Sequence, residues 1–469
     1  MHVGGNWLEG DRKTEVLNPF DKSVVDVVPR ATVDDAEKAL AFAVEGAKAM
    51  KRVSSYDRFR ILSSAAELLE KRAEDLAQTI TLEEGKVIGE SRFEVSRAVQ
   101  TLALSAEEAK RLSGEVVPLE GAPGSGNRLG FTLRTPCGVV VAISPFNFPL
   151  NLVAHKVGPA LAAGNSVIIK PATDTPLSAL KLTEILLESG MPVPAIQCIT
   201  GFGSEIGDLL CSDRRVRKIT FTGSREVGEQ ICRIAGLKKI TMELGSNSPL
   251  IVMPDADLEK VSQAIVATGY SNAGQVCIST QRVLALRSAY HDLLETLKPR
   301  VQAIKMGNPL DEKTGMGPMV RETDAIRVES WVEEAVKTGA RLLVGGQRTG
   351  AFFAPTVVTE VKPTMRISCE ELFGPAVAVT RTESIDEAIS LANDSNYGLS
   401  AGIFTQNVDW AMKFAREVES GNLHINWGPQ WRADLMPYGG LKESGFGKEG
   451  PKYAVQEMSE LKMVVFHLN

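Results

Sequence analysis

The chain has 469 residues, room for two or three packed domains, and its 43% hydrophobic and 23% charged side chains are ordinary for a folded protein in water. A net charge of −6 with scattered Lys and Arg argues against a nucleic-acid partner, and no apolar run of ~18 residues suggests a membrane span. Six cysteines (Cys137, Cys198, Cys211, Cys232, Cys277, Cys369) form no CxxC pair and no zinc-spaced cluster, and MHVGGNWLEG is no signal peptide; a cytoplasmic protein without a metal is expected.

Residues 33–112 are expected to be helical. Val33 to Met50 is Ala-rich after a Thr32/Asp34 start signal, Ser55 to Gly85 has helical apolar spacing, and a third helix runs from about Glu90 to Ser113. The turn-rich GAPGSGNRLG then separates two strand-like pieces, as in an arm leaving a domain. From Cys137 the pattern changes. GVVVAIS, SVIIKPA, AIQCITG and KITFTGS are apolar runs of strands buried on both faces, separated by helical stretches at Leu150–Ala163, Leu177–Ser189, Ser204–Cys211 and Arg225–Ile234. Alternating strand and helix predicts a parallel, doubly wound sheet.

The alternation restarts after Glu243. PLIVM, a helix from Leu258 to Asn272, RVLALRS, the helical SAYHDLLETLKPRVQAI, then RLLVGG, AVAVTR and SAGIFT predict a second α/β domain. The C-terminal LKMVVFHLN is a lone apolar strand; it pairs with another subunit or packs on its own chain.

Several short motifs carry chemistry. ITMELGSNSP supplies a carboxylate, Glu243, and NAGQVCIST a thiol, Cys277. A thiolate attacks an electrophilic carbon and a carboxylate activates water to release the product, although a Cys after Gly-Gln is more often a buried small hydrophobe. Phe221-Thr222-Gly223-Ser224 ends a strand and opens a helix, whose free N–H groups and dipole suit a pyrophosphate. Asn147, held in Pro145-Phe146-Asn147-Phe148-Pro149, is a turn residue or a donor to an oxyanion. Lys170 in Lys170-Pro171-Ala172-Thr173 stands where doubly wound sheets bind ligands, and EELFGP (370–375) offers a carboxylate and a ring; each is also an ordinary surface feature.

PFNFP (145–149), KPA (170–172), FTGS (221–224), MELGSNSP (242–249), GQVC (274–277), EELFGP (370–375) and MPYGGLKESGFG (436–447), in this order, resemble the aldehyde dehydrogenase superfamily across essentially the whole chain. The resemblance implies an α/β fold with a Rossmann-like cofactor domain, an α/β catalytic domain and a small β oligomerisation arm. Laid on this sequence, the cofactor domain takes 1–113 and 138–245, the catalytic domain 246–445, and the arm and C-terminal strand 114–137 and 446–469. It implies Cys277 as nucleophile, Asn147 with the Cys277 N–H as oxyanion hole, and Glu243 as the base for thioester hydrolysis. NADP or NAD is the implied cofactor. Lys170 and Glu371 are implied as ribose ligands, Phe373 as the nicotinamide-side ring, and Gly223 and Ser224 as phosphate contacts. Ile143, Pro145, Phe146, Ala172, Thr173, Gly203, Gly207, Phe221, Val227 and Leu244 are implied to line the rest of the cofactor cleft. Dimers or tetramers built from the arm and the C-terminal strand are implied too, and no catalytic metal.

Three departures matter. Ser246 replaces a Gly common in relatives. Thr173 stands where strictly NAD-using members often carry Glu, which removes repulsion toward a 2′-phosphate and leaves Lys170 to pair with it, though Asp174 is adjacent. At the substrate mouth the resemblance brings Arg97, His155, Arg432 and Tyr438 together, beside Trp431, where apolar-aldehyde enzymes tend to carry Met and aromatics. A buried Arg cluster needs an anion to neutralise it. The expected activity is NAD(P)-dependent oxidation of a short aldehyde bearing a carboxylate, phosphonate, phosphate or sulfonate. The alternatives are a small neutral hydroxyaldehyde such as lactaldehyde or glycolaldehyde, and a non-catalytic structural homologue.

Overall fold

Four helices follow an N-terminal hairpin in the computed structural model, which describes residues 1–468: α1 (Val33–Met50), α2 (Ser55–Lys71), α3 (Ala73–Glu84) and α4 (Ile88–Arg111). Helix α1 opens on a reciprocal cap in which the Thr32 hydroxyl accepts the Asp35 N–H and the Asp35 carboxylate accepts the Thr32 N–H. Its buried Ala36, Ala39, Leu40 and Ala43 make one helical face. The single helix expected from Ser55 to Gly85 is two, because Arg72 departs from helical geometry at φ −101°, ψ 17°. Gly85, at φ +84°, ends α3 in the left-handed conformation that glycine adopts without strain.

The first sheet is doubly wound. Its five parallel strands lie in the order Ile196–Cys198, Ser166–Lys170, Val139–Ile143, Val216–Thr222, Lys239–Glu243. Alternate residues enter opposite cores. Val140, Ala142, Val167 and Ile169 pack on the side of α2, α4, α5 (Asn151–Ala162) and α6 (Leu177–Glu188). Val139, Val141, Ile168 and Ile219 pack on the side of α1, α7 (Gly203–Ser212) and α8 (Arg225–Ala235). The strand order reverses between Val139–Ile143 and Val216–Thr222. That reversal opens a crevice at the carboxyl ends of these strands.

The second sheet orders Arg341–Val344, Thr356–Thr359, Ala376–Thr382, Arg282–Leu286, Pro249–Val252, Ser400–Phe404 and Asn422–Ile425. All neighbours are parallel except the first pair. The helix expected over Leu258–Asn272 stops at Gly269 as α9 (Leu258–Gly269). Asn272 and Ala273 then turn left-handed (φ +49° and +52°), followed by Gly274 at +68°. A Cβ on Gly274 would come within 2.2 Å of the Gly374 carbonyl oxygen, so only glycine lets these two loops touch.

The expected C-terminal segment 446–469 divides. Gly445–Phe446 is an antiparallel edge strand of the first sheet, paired with Met242 and Glu243. Pro451–Glu457 is a helix packed on α4 and α5. The apolar strand itself, Ser459–His467, is not without a partner: it pairs antiparallel with Arg128–Pro136 of the arm, from Ser459↔Pro136 to His467↔Arg128. Asn469 lies outside the described residues. Among the described residues no helix is long and apolar enough to cross a membrane, and no group of three or more His, Cys, Asp or Glu is arranged to hold a metal.

Candidate active site

A cavity of about 190 Å³ lies between the two sheets and gathers Cys277, Glu243, Arg97, Arg432 and Tyr438, with Phe93, Phe148 and Trp431 among its walls. Cys277 is half-buried, and its Sγ meets the Tyr438 hydroxyl at 3.3 Å. Burial pushes the thiol up to about 12, a rise that the Tyr438 contact tempers. Its N–H donates to no acceptor among the described residues. Glu243 ends its strand buried, with neither carboxyl oxygen hydrogen-bonded. Burial, helped by Glu449, holds this carboxyl well above the usual range.

Asn147 sits behind the Cys277 loop. One N–H of its side chain donates to the Gln275 carbonyl at 2.8 Å, and the other remains available. Its Oδ1 has no partner.

At the far end the expected cations do converge, but not as an unbalanced cluster. Asp434 takes a forked pair of bonds from Arg97 (2.8 and 3.2 Å) and one from His155 Nε2 (2.8 Å). Glu449 takes Arg432 at 2.9 Å and Lys156 at 2.8 Å. Arg432 also donates to His155 Nδ1 at 3.1 Å and lies 4.0 Å above the Tyr438 ring. Burial and Arg432 lower the His155 pKa to about 4, so the ring is neutral, a donor at Nε2 and an acceptor at Nδ1. The expectation that an outside anion must neutralise these cations is therefore corrected: Asp434 and Glu449 already meet most of their charge. Arg432 Nε alone has no partner.

Along the crevice, Ile143 to Phe146, Lys170 to Thr173, Phe221 to Ser224 and Leu244 follow the carboxyl ends of four parallel strands. Gly203 and Gly207 lie at the start of α7 and Val227 at the start of α8, whose first turn the Ser224 hydroxyl caps. Glu371 and Phe373 reach in from the second domain. The Phe373 ring meets Phe146 edge-on at 5.9 Å, and the Glu371 carboxylate accepts the Ser246 N–H at 2.9 Å. The Ser246 hydroxyl is engaged by Ser248 at 2.9 Å.

The crevice fits a dinucleotide. Nothing lies within 4 Å of where a Cβ on Gly203 or Gly207 would stand. Lys170 is buried with, among the described residues, only the Pro171 carbonyl as partner, and burial lowers it to about 8. An anion beside it would relieve that cost. The Thr173 hydroxyl donates to the Gly201 carbonyl at 3.1 Å. Asp174 is held by Arg321, which offsets the negative charge expected there.

A family model described as the aldehyde dehydrogenase family matches residues 7–464. The chain belongs to the aldehyde dehydrogenase family. It is 50% identical over 468 residues to a 3-sulfolactaldehyde dehydrogenase of Priestia aryabhattai, covering 100% of this chain and 98% of that protein. Aldehyde dehydrogenase 21 from Physcomitrella patens, solved with its reaction product succinate, superposes with a TM-score of 0.96 at 39% identity over 100% of this chain and 98% of that one. A glyceraldehyde-3-phosphate dehydrogenase from Methanocaldococcus jannaschii, complexed with NADP, gives 0.94 at 38% identity over 97% and 100%. The protein is an NAD(P)-dependent aldehyde dehydrogenase with the Rossmann-like and catalytic domains of that fold.

Sequence reasoning missed Asp434, Glu449, Lys156 and Lys86 at this aldehyde dehydrogenase site. Asp434 and Glu449 flank the MPYGGLKESGFG motif by two residues on either side, and that proximity was the one available signal.

Proposed function

We propose that this aldehyde dehydrogenase oxidises a short aldehyde with an anionic tail to the acid, a sulfonate being the best-supported tail. One observation carries this reading: the uneven charge around the cavity. Arg97, Arg432 and Lys156 bond two ionised carboxylates, Asp434 and Glu449, while His155 is neutral and burial disfavours a further negative charge on Glu243. One positive charge is left over, and Arg432 Nε is the donor left unspent. The half-identical 3-sulfolactaldehyde dehydrogenase supports a sulfonate.

In the proposed chemistry the Cys277 thiolate adds to the carbonyl carbon. The Cys277 N–H and the free Asn147 N–H stabilise the oxyanion. A bound nicotinamide cofactor supplies the hydride acceptor. The thioester left on Cys277 is then hydrolysed by water that Glu243 deprotonates. NADP is the favoured cofactor, because position 173 carries no carboxylate and Arg321 engages the adjacent Asp174.

The pairing of Arg97 with Asp434 and of Arg432 with Glu449 favours a second reading, in which both arginines are spent within the protein and the substrate is a neutral hydroxyaldehyde such as lactaldehyde. A steady-state panel separates the two. With 3-sulfolactaldehyde, succinate semialdehyde, lactaldehyde and propanal, the expected kcat/KM is highest for an anionic member. Charge-assisted bonds of about 1.5–3 kcal/mol correspond to roughly one to two decades. Lactaldehyde or propanal outperforming both anionic aldehydes would overturn the anion reading.

A further inference from the structure

Lys86 and Glu94 form a 2.6 Å ion pair sealed from water, 1% and 0% exposed. Such burial is costly unless the remaining hydrogen-bonding positions are filled, and here main chain supplies three further bonds, one to Lys86 and two to Glu94. The Lys86 ammonium also donates to the Asn147 carbonyl at 2.6 Å and lies 4.0 Å above the Phe148 ring. Glu94 Oε1 accepts the Leu150 and Asn151 N–H groups at 2.9 and 3.1 Å. The pair therefore grips the PFNFP turn at both ends.

The same corner between α3 and α4 holds the opposite loop. The Asn272 side chain donates to Glu84 at 2.7 Å, and its N–H to Glu90 at 3.0 Å. That fixes the left-handed pair Asn272–Ala273 just ahead of Cys277. The two loops meet where the Asn147 amide donates to the Gln275 carbonyl. Among the described residues nothing else bonds the Asn147 side chain, so the direction of its free N–H is set by that bond and by its own peptide, whose carbonyl accepts Lys86 at 2.6 Å and, more weakly, the Asn272 side chain at 3.4 Å.

We propose that Lys86 is a positioning residue for the addition step: it fixes the Asn147 peptide so that the side-chain amide meets the developing oxyanion, and Glu94 holds Lys86 in place. This rests on the reading of Asn147 as an oxyanion donor. Losing a donor of that kind outright costs about 10²–10³ in rate, and misaiming it costs part of that.

The test is a double-mutant cycle on the full-length enzyme with propanal, whose neutral tail makes it independent of the anion reading. Stopped flow reads the first-turnover burst of reduced cofactor. Fluorescence quenching reads cofactor Kd, and iodoacetamide alkylation reads the Cys277 thiol. Lys86→Met is expected to slow the burst roughly ten- to a hundredfold. Cofactor Kd and the alkylation rate should stay close to wild type. Added to Asn147→Ala, it should slow the burst little further, because both changes remove one interaction. A wild-type burst in Lys86→Met beside a slow Asn147→Ala overturns the role of Lys86, as do losses that simply multiply. A wild-type burst in Asn147→Ala instead overturns the oxyanion reading beneath it. Should Lys86→Met fail to fold, Lys86→Met/Glu94→Gln carries the same comparison, since it leaves no unpaired buried charge and keeps an acceptor for Leu150 and Asn151.

Discussion

Burial disfavours the ionised forms of both Glu243 and Cys277, and each acts as proposed only once its proton is lost. For Glu243 the sign is definite: a raised carboxyl is a competent base only above its shifted value. The rate of thioester hydrolysis should therefore climb with pH through that value. In Glu243→Gln a burst of reduced cofactor should precede slow, pH-independent turnover. Stopped flow checks this, and a first turnover slowed as much as later ones would give Glu243 another role. Cys277→Ser should abolish turnover and spare cofactor binding measured by fluorescence. Thr173→Glu should raise the ratio of NAD to NADP kcat/KM. The new carboxylate would repel a 2′-phosphate near Lys170, and Asp174 is already committed to Arg321. An unchanged ratio would remove position 173 from cofactor choice.

At the scale of elements, the tight loops are the sensitive parts. Gly274→Ala should slow acylation while leaving the fold intact by circular dichroism, because its Cβ would press on the Gly374 carbonyl and shift the loop that carries Cys277. Glu83, next to last in α3, caps the neighbouring helix α6, accepting the Leu177 and Ser178 N–H groups at 2.7 and 3.0 Å. Glu83→Ala should cost about 1–3 kcal/mol of stability in urea unfolding. Such elements also mark what was legible in the sequence. Most strands of both sheets were clear because strands buried on two faces are unbroken apolar runs, whereas Lys239–Glu243, Thr356–Thr359 and Asn422–Ile425, short and bearing polar residues, were not. Cys277, Glu243 and Asn147 stood out because they sit in glycine- and proline-rich turns. Asp434, Glu449, Lys86 and Glu94 did not, since a buried charge looks like a surface charge until its partner is placed beside it, whether that partner is 337 residues away (Arg97 and Asp434), 293 (Lys156 and Glu449) or eight (Lys86 and Glu94). The break at Arg72 was invisible because apolar spacing continues across it and neither Gly nor Pro marks it.

At the scale of the molecule, the buried acids set a pH dependence of stability. Glu84 is raised to about 8, and Glu83 and Glu371 to about 7, in each case first by burial. Each group's contribution is fully present below its unfolded value and is lost as pH rises through the folded one. His155, lowered to about 4, acts oppositely but only up to its unfolded value of about 6.5. Tm should therefore fall between about pH 6.5 and 8, and Glu84→Gln should flatten the slope. A Tm rising across that window would contradict the assignment. The edge strand Gly445–Phe446 carries a different consequence. It closes the first sheet with residues that follow the whole second sheet in the chain, and Asp434, Tyr438 and Glu449 lie around it. On the ribosome, then, the cofactor domain waits with one edge bare while the catalytic domain is made. Glu243 has no wall on that side until Glu449 emerges. A chain that ended before Gly445 would carry Cys277 without this edge strand and without Glu449.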